Sequence, residues 1–354
     1  MSHPFRHPPY AVFLLVIGST VPEFAQPSTP LPPLKLAQAT HLQPITSTRD
    51  LVDEITALTA SSKRNLVFLK GGTFDMGDWG NEDGLPYDSN PESKPLHKVK
   101  LDGFSMLKFK VTFAEFDVFT QATGRPLVDN GEIARRSRKP TFPASVNWYG
   151  AKAYCGWLAK TSKLPYDLPT EAQWEFAARS RGQRILYTTD NGKLEKGVDN
   201  ERVRAAGEAQ GADPVEIAKY VDVPGRNYPS YAQQMALGAH GNSSAIPVGS
   251  FPPNPAGLYG MAEIIHEWTN DWFGSYVSNA QTNPRGPSTG LKRVIRGVNG
   301  PPERAFVFVR FGRSPQGYIN EDQPTPKATF QNVDFSSSSG DSFRCVLSND
   351  RLVP

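Results

Sequence analysis

The sequence carries little excess charge and has no long apolar run beyond its N-terminus. Its 38 Lys and Arg residues and 35 Asp and Glu residues leave a formal net charge of +3 over 354 residues. No basic run is longer than Arg135-Arg136, so the chain has no electrostatic footprint for nucleic acid. No later segment provides the roughly 20 apolar residues that a transmembrane helix needs. We therefore expect neither a nucleic-acid partner nor a stable transmembrane span in the mature chain.

Motifs that carry several common chemistries are also absent. The sequence contains no Gly-x-Ser-x-Gly elbow, no His-Glu-x-x-His and no Walker loop, so hydrolase and nucleotide-binding functions lack support. It also lacks the His-x-Asp and His-x-x-Glu spacings that would help to build a facial triad for non-haem iron. Among the 6 histidines, His266 is followed directly by a carboxylate, that of Glu267.

The N-terminus has the pattern of an export signal. Arg6 precedes the apolar run 11–17, and a Pro-rich stretch follows. We predict a signal peptide over residues 1–25, a Pro-rich linker with a short helix over 26–63, and one domain over 64–350. The mature protein is then periplasmic or secreted. The alternative, in which the apolar run forms a buried strand, stays open.

Glycine and proline are abundant, with 30 and 32 residues, which favours a loop-rich fold over a helical bundle. Short helices are predicted where a capping residue precedes apolar residues at helical spacing. The predicted capping residues are Asp50, Thr112, Asn147 and Thr170. The first of these helices is predicted to end at Leu58. Segments 66–69 and 99–102 predict strands, and the polar residues 191–245 predict an insertion with a helix near 214–220.

The chain holds only two cysteines, Cys155 and Cys345. In an exported protein an even pair forms a disulfide more often than it stays as two free thiols. Closing so long a loop would contribute roughly 4–5 kcal/mol to stability in the chain-entropy treatment. The count alone therefore favours a bond between them.

A series of sequence blocks then follows the order of a known family. The blocks are 71–77, 143–148, 153–158, 168–179, 248–254, 257–259, 267–272, 293–297 and 343–345. Together they resemble the sulfatase-modifying-factor family, whose oxidase generates formylglycine, over about residues 64–348. The resemblance implies an α+β fold, a C-type-lectin-like variant with a mixed twisted sheet, short helices and much irregular structure. It also implies the Cys155–Cys345 pairing, which exported members of the family form.

The resemblance fails at the oxidase site. The family's oxidase binds copper through two cysteines, and an ungapped register places Ala305 and Arg310 at those positions. No cysteine lies between residues 156 and 344. Since soft thiolate ligands suit Cu(I), we expect no copper and no formylglycine-generating activity.

The resemblance also raises calcium as a cofactor. One family site would use the Glu267 side chain and the carbonyl groups of Glu263 and Ile265, but Gly260 stands where a side-chain oxygen is needed. For a second site only Asn200 is a candidate. Because calcium takes about 6–8 oxygen ligands, these departures put the sites in question. The alternative is that Glu267 packs against a backbone amide.

Two functions follow from the resemblance. The favoured one is an accessory or regulatory protein of the cell envelope that binds a protein partner, similar to an exported relative that controls type VI secretion. The alternative is a periplasmic redox or tailoring enzyme, similar to the relative needed for pyoverdine maturation, with a non-cysteine metal site at His266.

The old oxidase cleft is the predicted working surface. Residues 306–311 alternate aromatic and branched side chains, which predicts a half-buried strand. Arginine is hard to bury, and beside aromatic residues it is typical of interface hot spots. We therefore predict that His266, Arg310 and Arg313 lie near the edge of the cleft and bind the partner.

Overall fold

The computed structural model describes residues 48–131, 138–193, 247–250, 252–261, 265–297, 305–317, 329–331, 333–336 and 340–349. The helices are α1 (Thr48–Arg64), α2 (Phe113–Ala122), α3 (Trp148–Ser162) and α4 (Glu171–Ala178). The strands are β1 (Leu66–Leu69), β2 (Gly72–Met76), β3 (His97–Leu101), β4 (Phe104–Leu107), β5 (Tyr166–Asp167), β6 (Glu267–Trp272), β7 (Gln281–Thr282), β8 (Arg293–Arg296), β9 (Arg310–Arg313) and β10 (Val346–Leu347). A short 3-10 helix spans Pro91–Ser93.

The described strands form three small sheets rather than one large sheet. The first has the order β1-β4-β10-β5 and is antiparallel throughout. The second, β2-β3-β7, pairs β3 with β7 in parallel. The third, β6-β8-β9, is antiparallel, with Glu267 opposite Arg296 and Arg296 opposite Arg310. This third sheet places charged side chains from three strands side by side.

Three of the four predicted caps are present. The Thr112 side chain accepts a hydrogen bond from the Glu115 amide. The Glu115 carboxylate accepts one from the Thr112 amide in return, which completes a capping box. Asn147 accepts from the Gly150 amide at 3.0 Å. Thr170 accepts from the Gln173 amide at 3.1 Å at the start of α4. The local sequence therefore determines where these helices begin.

Helix α1 was predicted too short. It runs from Thr48 to Arg64, so Asp50 lies in its first turn and does not cap it. An acidic residue in the first turn and Lys63 with Arg64 in the last turn both suit the helix dipole. These terminal charges extend the helix beyond the apolar positions on which the prediction rested.

The main apolar core surrounds α2 and α3. Phe116, Tyr154 and Phe343 pack there as mutually close rings, and all three are fully buried. The predicted disulfide joins Cys155 of α3 to Cys345, which directly precedes β10, with a Cα–Cα distance of 5.8 Å. It ties the helical side of this core to the first sheet.

The predicted strand over 306–311 is wrong in its first half. Val307 and Phe308 lie in a turn, and the strand β9 begins only at Arg310. Phe308 is buried, with Phe306 stacked on it at a centroid distance of 5.5 Å. Trp79 meets Phe308 edge-on at 5.2 Å. The alternating pattern arises because these residues pack into an aromatic cluster instead of pairing in a sheet.

Several predicted segments lie outside the described residues: the signal peptide over 1–25, the linker over 26–47 and the helix near 214–220. Within the part of the chain that the structure describes, no helix combines the length and the apolar character needed to cross a membrane.

Candidate functional site

A buried network of charges joins α4 to the third sheet. Glu171 pairs with Arg310, at 2.6 Å from Nε to Oε1 and 2.8 Å from Nη2 to Oε2. Arg296 bridges both helix carboxylates, at 2.9 Å to Glu171 and 2.8 Å to Glu175. Glu175 also pairs with Arg179 at 2.9 Å. Bidentate geometry of this kind offsets the cost of removing the charges from water.

Two members of this network are held in their charged form by close partners. Burial alone would raise the pKa of Glu171, but Arg310 and Arg296 outweigh it and hold that pKa below its ordinary value. Burial opposes the charge of Arg296, yet Tyr276, Glu175 and Glu171 raise its pKa overall. The network, defined by Glu171, Glu175, Arg179, Arg296 and Arg310, therefore pairs each of its carboxylates with two guanidinium groups inside the fold.

The expectation that Arg310 resists burial is wrong. Its side chain is 1% exposed, and its guanidinium stacks over Tyr276 at 4.2 Å and Phe273 at 4.6 Å. It also donates to the Gly274 carbonyl at 2.9 Å. Glu171, the Gly274 carbonyl and the two aromatic rings take the place of water around the guanidinium. Arg310 therefore stabilises the interior of the fold.

A cleft of about 250 Å³ opens beside this network. Its wall includes Glu171, Arg310, Tyr276, Trp272 and Asp271. The Asp271 carboxylate accepts from the Glu171 amide at 2.9 Å and so caps the start of α4. Burial, followed by the like charge of Glu171, raises the pKa of Asp271 to about 7. Its charge therefore changes near neutral pH.

A second charged cluster surrounds Glu267 at the start of β6. Arg344 takes both carboxylate oxygens, at 2.7 Å from Nε to Oε2 and 2.9 Å from Nη2 to Oε1. Lys110 Nζ lies 3.6 Å from Glu267 Oε1 and donates to the Gly260 carbonyl. Every oxygen named here already faces a cation, so these residues do not fit a calcium ion. The remaining predicted ligands, Glu263 and Asn200, lie outside the described residues.

A third cluster, the His266 triad, consists of His266, Asp341 and Arg313. Arg313 Nη1 lies 2.9 Å from each Asp341 oxygen, and His266 Nδ1 lies 3.3 Å from Oδ1. Asp341 is fully buried, whereas the Arg313 side chain is 23% exposed. Phe311, itself 38% exposed, meets the His266 ring edge-on at 5.6 Å. The triad is thus exposed at the surface through Arg313, and Phe311 lies exposed beside it.

The structure sorts the predicted site residues into different clusters. It brings His266 and Arg313 together on one carboxylate, while Arg310 belongs to the α4 network. Ile265 is half-buried next to His266. Sequence reasoning missed Asp341 and Lys110. Asp341 stands two positions before the block 343–345, and Lys110 stands two positions before the capping residue Thr112. Only the folded chain shows that they face His266 and Glu267.

The described residues have a mixed α+β fold of several small sheets and short helices. The profile of the sulfatase-modifying factor enzyme 1-like domain matches residues 53–329. The chain is therefore a member of the FGE-sulfatase family.

Known relatives agree with this assignment. The formylglycine-generating enzyme of Mus musculus is 26% identical over 327 residues, which cover 79% of this chain and 74% of the enzyme. The serine/threonine-protein kinase pkn1 of Chlamydia caviae is 28% identical over 66% of this chain, but the match spans only 32% of the kinase. The solved structure of PvdO from Pseudomonas aeruginosa superposes with a TM-score of 0.50 and 23% identity, covering 80% of this chain and 94% of PvdO. That likeness concerns the fold alone.

Proposed function

We propose that this chain is an exported family member without formylglycine-generating activity that binds a protein partner in the cell envelope. The observation that carries the proposal is the use of both cysteines, Cys155 and Cys345, in one disulfide. The family's oxidase needs a separate pair of thiolates for copper, and none is left here. The scaffold then serves recognition instead of oxidation.

The partner surface that we propose is the exposed edge of the His266 triad. Phe311 offers an aromatic ring that is 38% exposed, beside the partly exposed guanidinium of Arg313. Aromatic and arginine side chains dominate interface hot spots. Asp341 fixes the guanidinium through two contacts of 2.9 Å, so little side-chain entropy is lost on binding.

A regulatory role in the envelope, of which type VI secretion control is one instance, fits this surface. The kinase pkn1 carries a matching domain in about a third of its length. A domain of this family therefore also occurs in a chain named as a kinase. We propose that the present chain provides such a domain in the cell envelope.

The alternative function is a periplasmic redox or tailoring enzyme. One observation favours it: Asp341 lies 3.3 Å from His266 Nδ1, and a carboxylate at one imidazole nitrogen orients the other for proton transfer or metal binding. Under this alternative His266→Gln would abolish turnover, whereas partner binding depends on Phe311.

Site-specific crosslinking tests the partner surface. A photo-reactive amino acid at Phe311 should capture one protein in the cells that produce the chain. The same group at Leu291, an apolar residue that is 90% exposed, should not. With the captured protein purified, Phe311→Ala should weaken binding about tenfold, a loss of about 1.4 kcal/mol. An unchanged affinity for folded Phe311→Ala would exclude this surface.

The oxidase activity is tested separately. The purified mature protein, with and without copper, should leave the cysteine of a sulfatase peptide unchanged in mass spectrometry. Conversion above a no-protein control would contradict the loss of activity, whatever the crosslinking shows. The formylglycine-generating enzyme itself is the positive control.

A further inference from the structure

Lys110 is a buried cation in the connection between β4 and α2. Its side chain is 2% exposed, although lysine is almost never fully buried without a partner. Its ammonium group donates to the Gly260 carbonyl and lies 3.6 Å from Glu267 Oε1. It therefore occupies the space between a main-chain oxygen and a carboxylate.

The oxygens around this ammonium have a second cationic donor in Arg344. Its guanidinium takes both oxygens of Glu267. It also donates to the Tyr259 carbonyl at 2.8 Å and to the Lys108 carbonyl at 3.0 Å. Carboxylate and carbonyl oxygens, the usual ligands of calcium, thus point at two built-in positive charges.

We infer that the Lys110 ammonium takes the place that a calcium ion would hold between Gly260 and Glu267. Calcium needs about 6–8 oxygens at roughly 2.3–2.6 Å, and Gly260 offers no side-chain oxygen. A divalent ion would also meet two like charges at close range, in a buried setting where water screens them little. The Lys110 ammonium supplies the positive charge at this position, so no calcium ion is required there.

This internal cation has a structural role at the triad. Gly260 and Glu267 flank the segment that leads into β6, and His266 lies directly before β6. By holding both ends of this segment, Lys110 fixes the position of His266 whatever the calcium concentration outside the cell. The position of His266 should therefore be the same in chelating buffers.

Thermal unfolding of the wild-type protein gives the first test. The midpoint should be the same in 5 mM CaCl2 and in EDTA, and the purified protein should retain no calcium after dialysis. Because Asn200 is the candidate ligand of a second calcium site, the same measurement is made on Asn200→Ala. One equivalent of calcium retained by that variant, or a midpoint that EDTA lowers by roughly 3 °C or more in it, overturns the inference.

Substitution gives the second test. Lys110→Met keeps the length of the side chain but removes its charge, and should lower the midpoint by several degrees. Lys108→Met is the matched control, because Lys108 is only half-buried, with its ammonium over the Phe109 ring at 5.1 Å. It should change the midpoint little. Equal midpoints for Lys110→Met and the wild type would contradict the role of the ammonium.

Discussion

Arg310 and Arg313 lie three positions apart on β9, so their side chains leave opposite faces of the strand. Arg310 faces the interior, 1% exposed, and binds Glu171. Arg313 faces the triad, 23% exposed, and binds Asp341. The sequence presents two similar arginines beside aromatic residues, and only the pairing of β9 with β8 distinguishes their surroundings.

Substituting the two arginines separately should show this difference. Arg310→Ala leaves the Glu171 carboxylate buried without its bidentate partner, and should lower the free energy of unfolding by about 3–5 kcal/mol. Arg313→Ala should cost less, because the Arg313 side chain is partly exposed and water can take its place beside Asp341. Denaturant unfolding of both variants measures the two losses.

Equal losses of unfolding free energy would mean that the difference in burial between the two arginines does not affect stability. The exposed Arg285 supplies the control, since Arg285→Ala removes one positive charge without breaking a buried pair. A double substitution of Arg310 and Arg313 would test folding rather than binding, so Phe311 is the better probe of the surface.

At the scale of elements, helix starts could be predicted and ion pairs could not. The side chains of Thr112 and Thr170 meet amides three residues ahead, so the signal lies within one short segment. Glu171 and Arg310 are 139 positions apart, and no local pattern links them. For the same reason the sequence placed the helix starts at Thr112 and Thr170 correctly but assigned Arg310 to the surface.

The junction between β6 and α4 should respond to pH. The Asp271 pKa is raised to about 7 in the fold, so the unfolded chain loses this proton at lower pH than the folded chain. The carboxyl therefore reduces stability as the pH rises from about 4 to 7, by at most about 1.4 kcal/mol per pH unit. Asp271→Asn removes this penalty and keeps an oxygen to accept from the Glu171 amide.

Denaturant unfolding at pH 5, 6, 7 and 8 measures the effect. The Asp271→Asn variant should gain stability relative to the wild type as the pH rises from 5 to 7, and the difference should level off by pH 8. Asp83→Asn, on an exposed loop, controls for the loss of a surface charge. A constant difference between variant and wild type would show that Asp271 does not titrate there.

At the scale of the whole molecule, the disulfide links residues 190 positions apart. In denaturant without reductant, the mature protein should show no titratable thiol. The Cys155→Ala, Cys345→Ala double variant should lose roughly 4–5 kcal/mol of stability, because the unfolded chain is no longer closed into a loop. Two titratable thiols in the wild type would contradict the bond.

The disulfide also decides how the molecule responds to a protease. Residues 155–345 form a covalent ring that contains α4, the third sheet and the whole polar segment 191–245. A single backbone cut anywhere within this ring opens it but releases no fragment. Such a nicked molecule keeps its full mass on a non-reducing gel and separates into two pieces only when the bond is reduced. In an environment rich in proteases, damage to a loop would thus leave the parts of the charged network attached to one another.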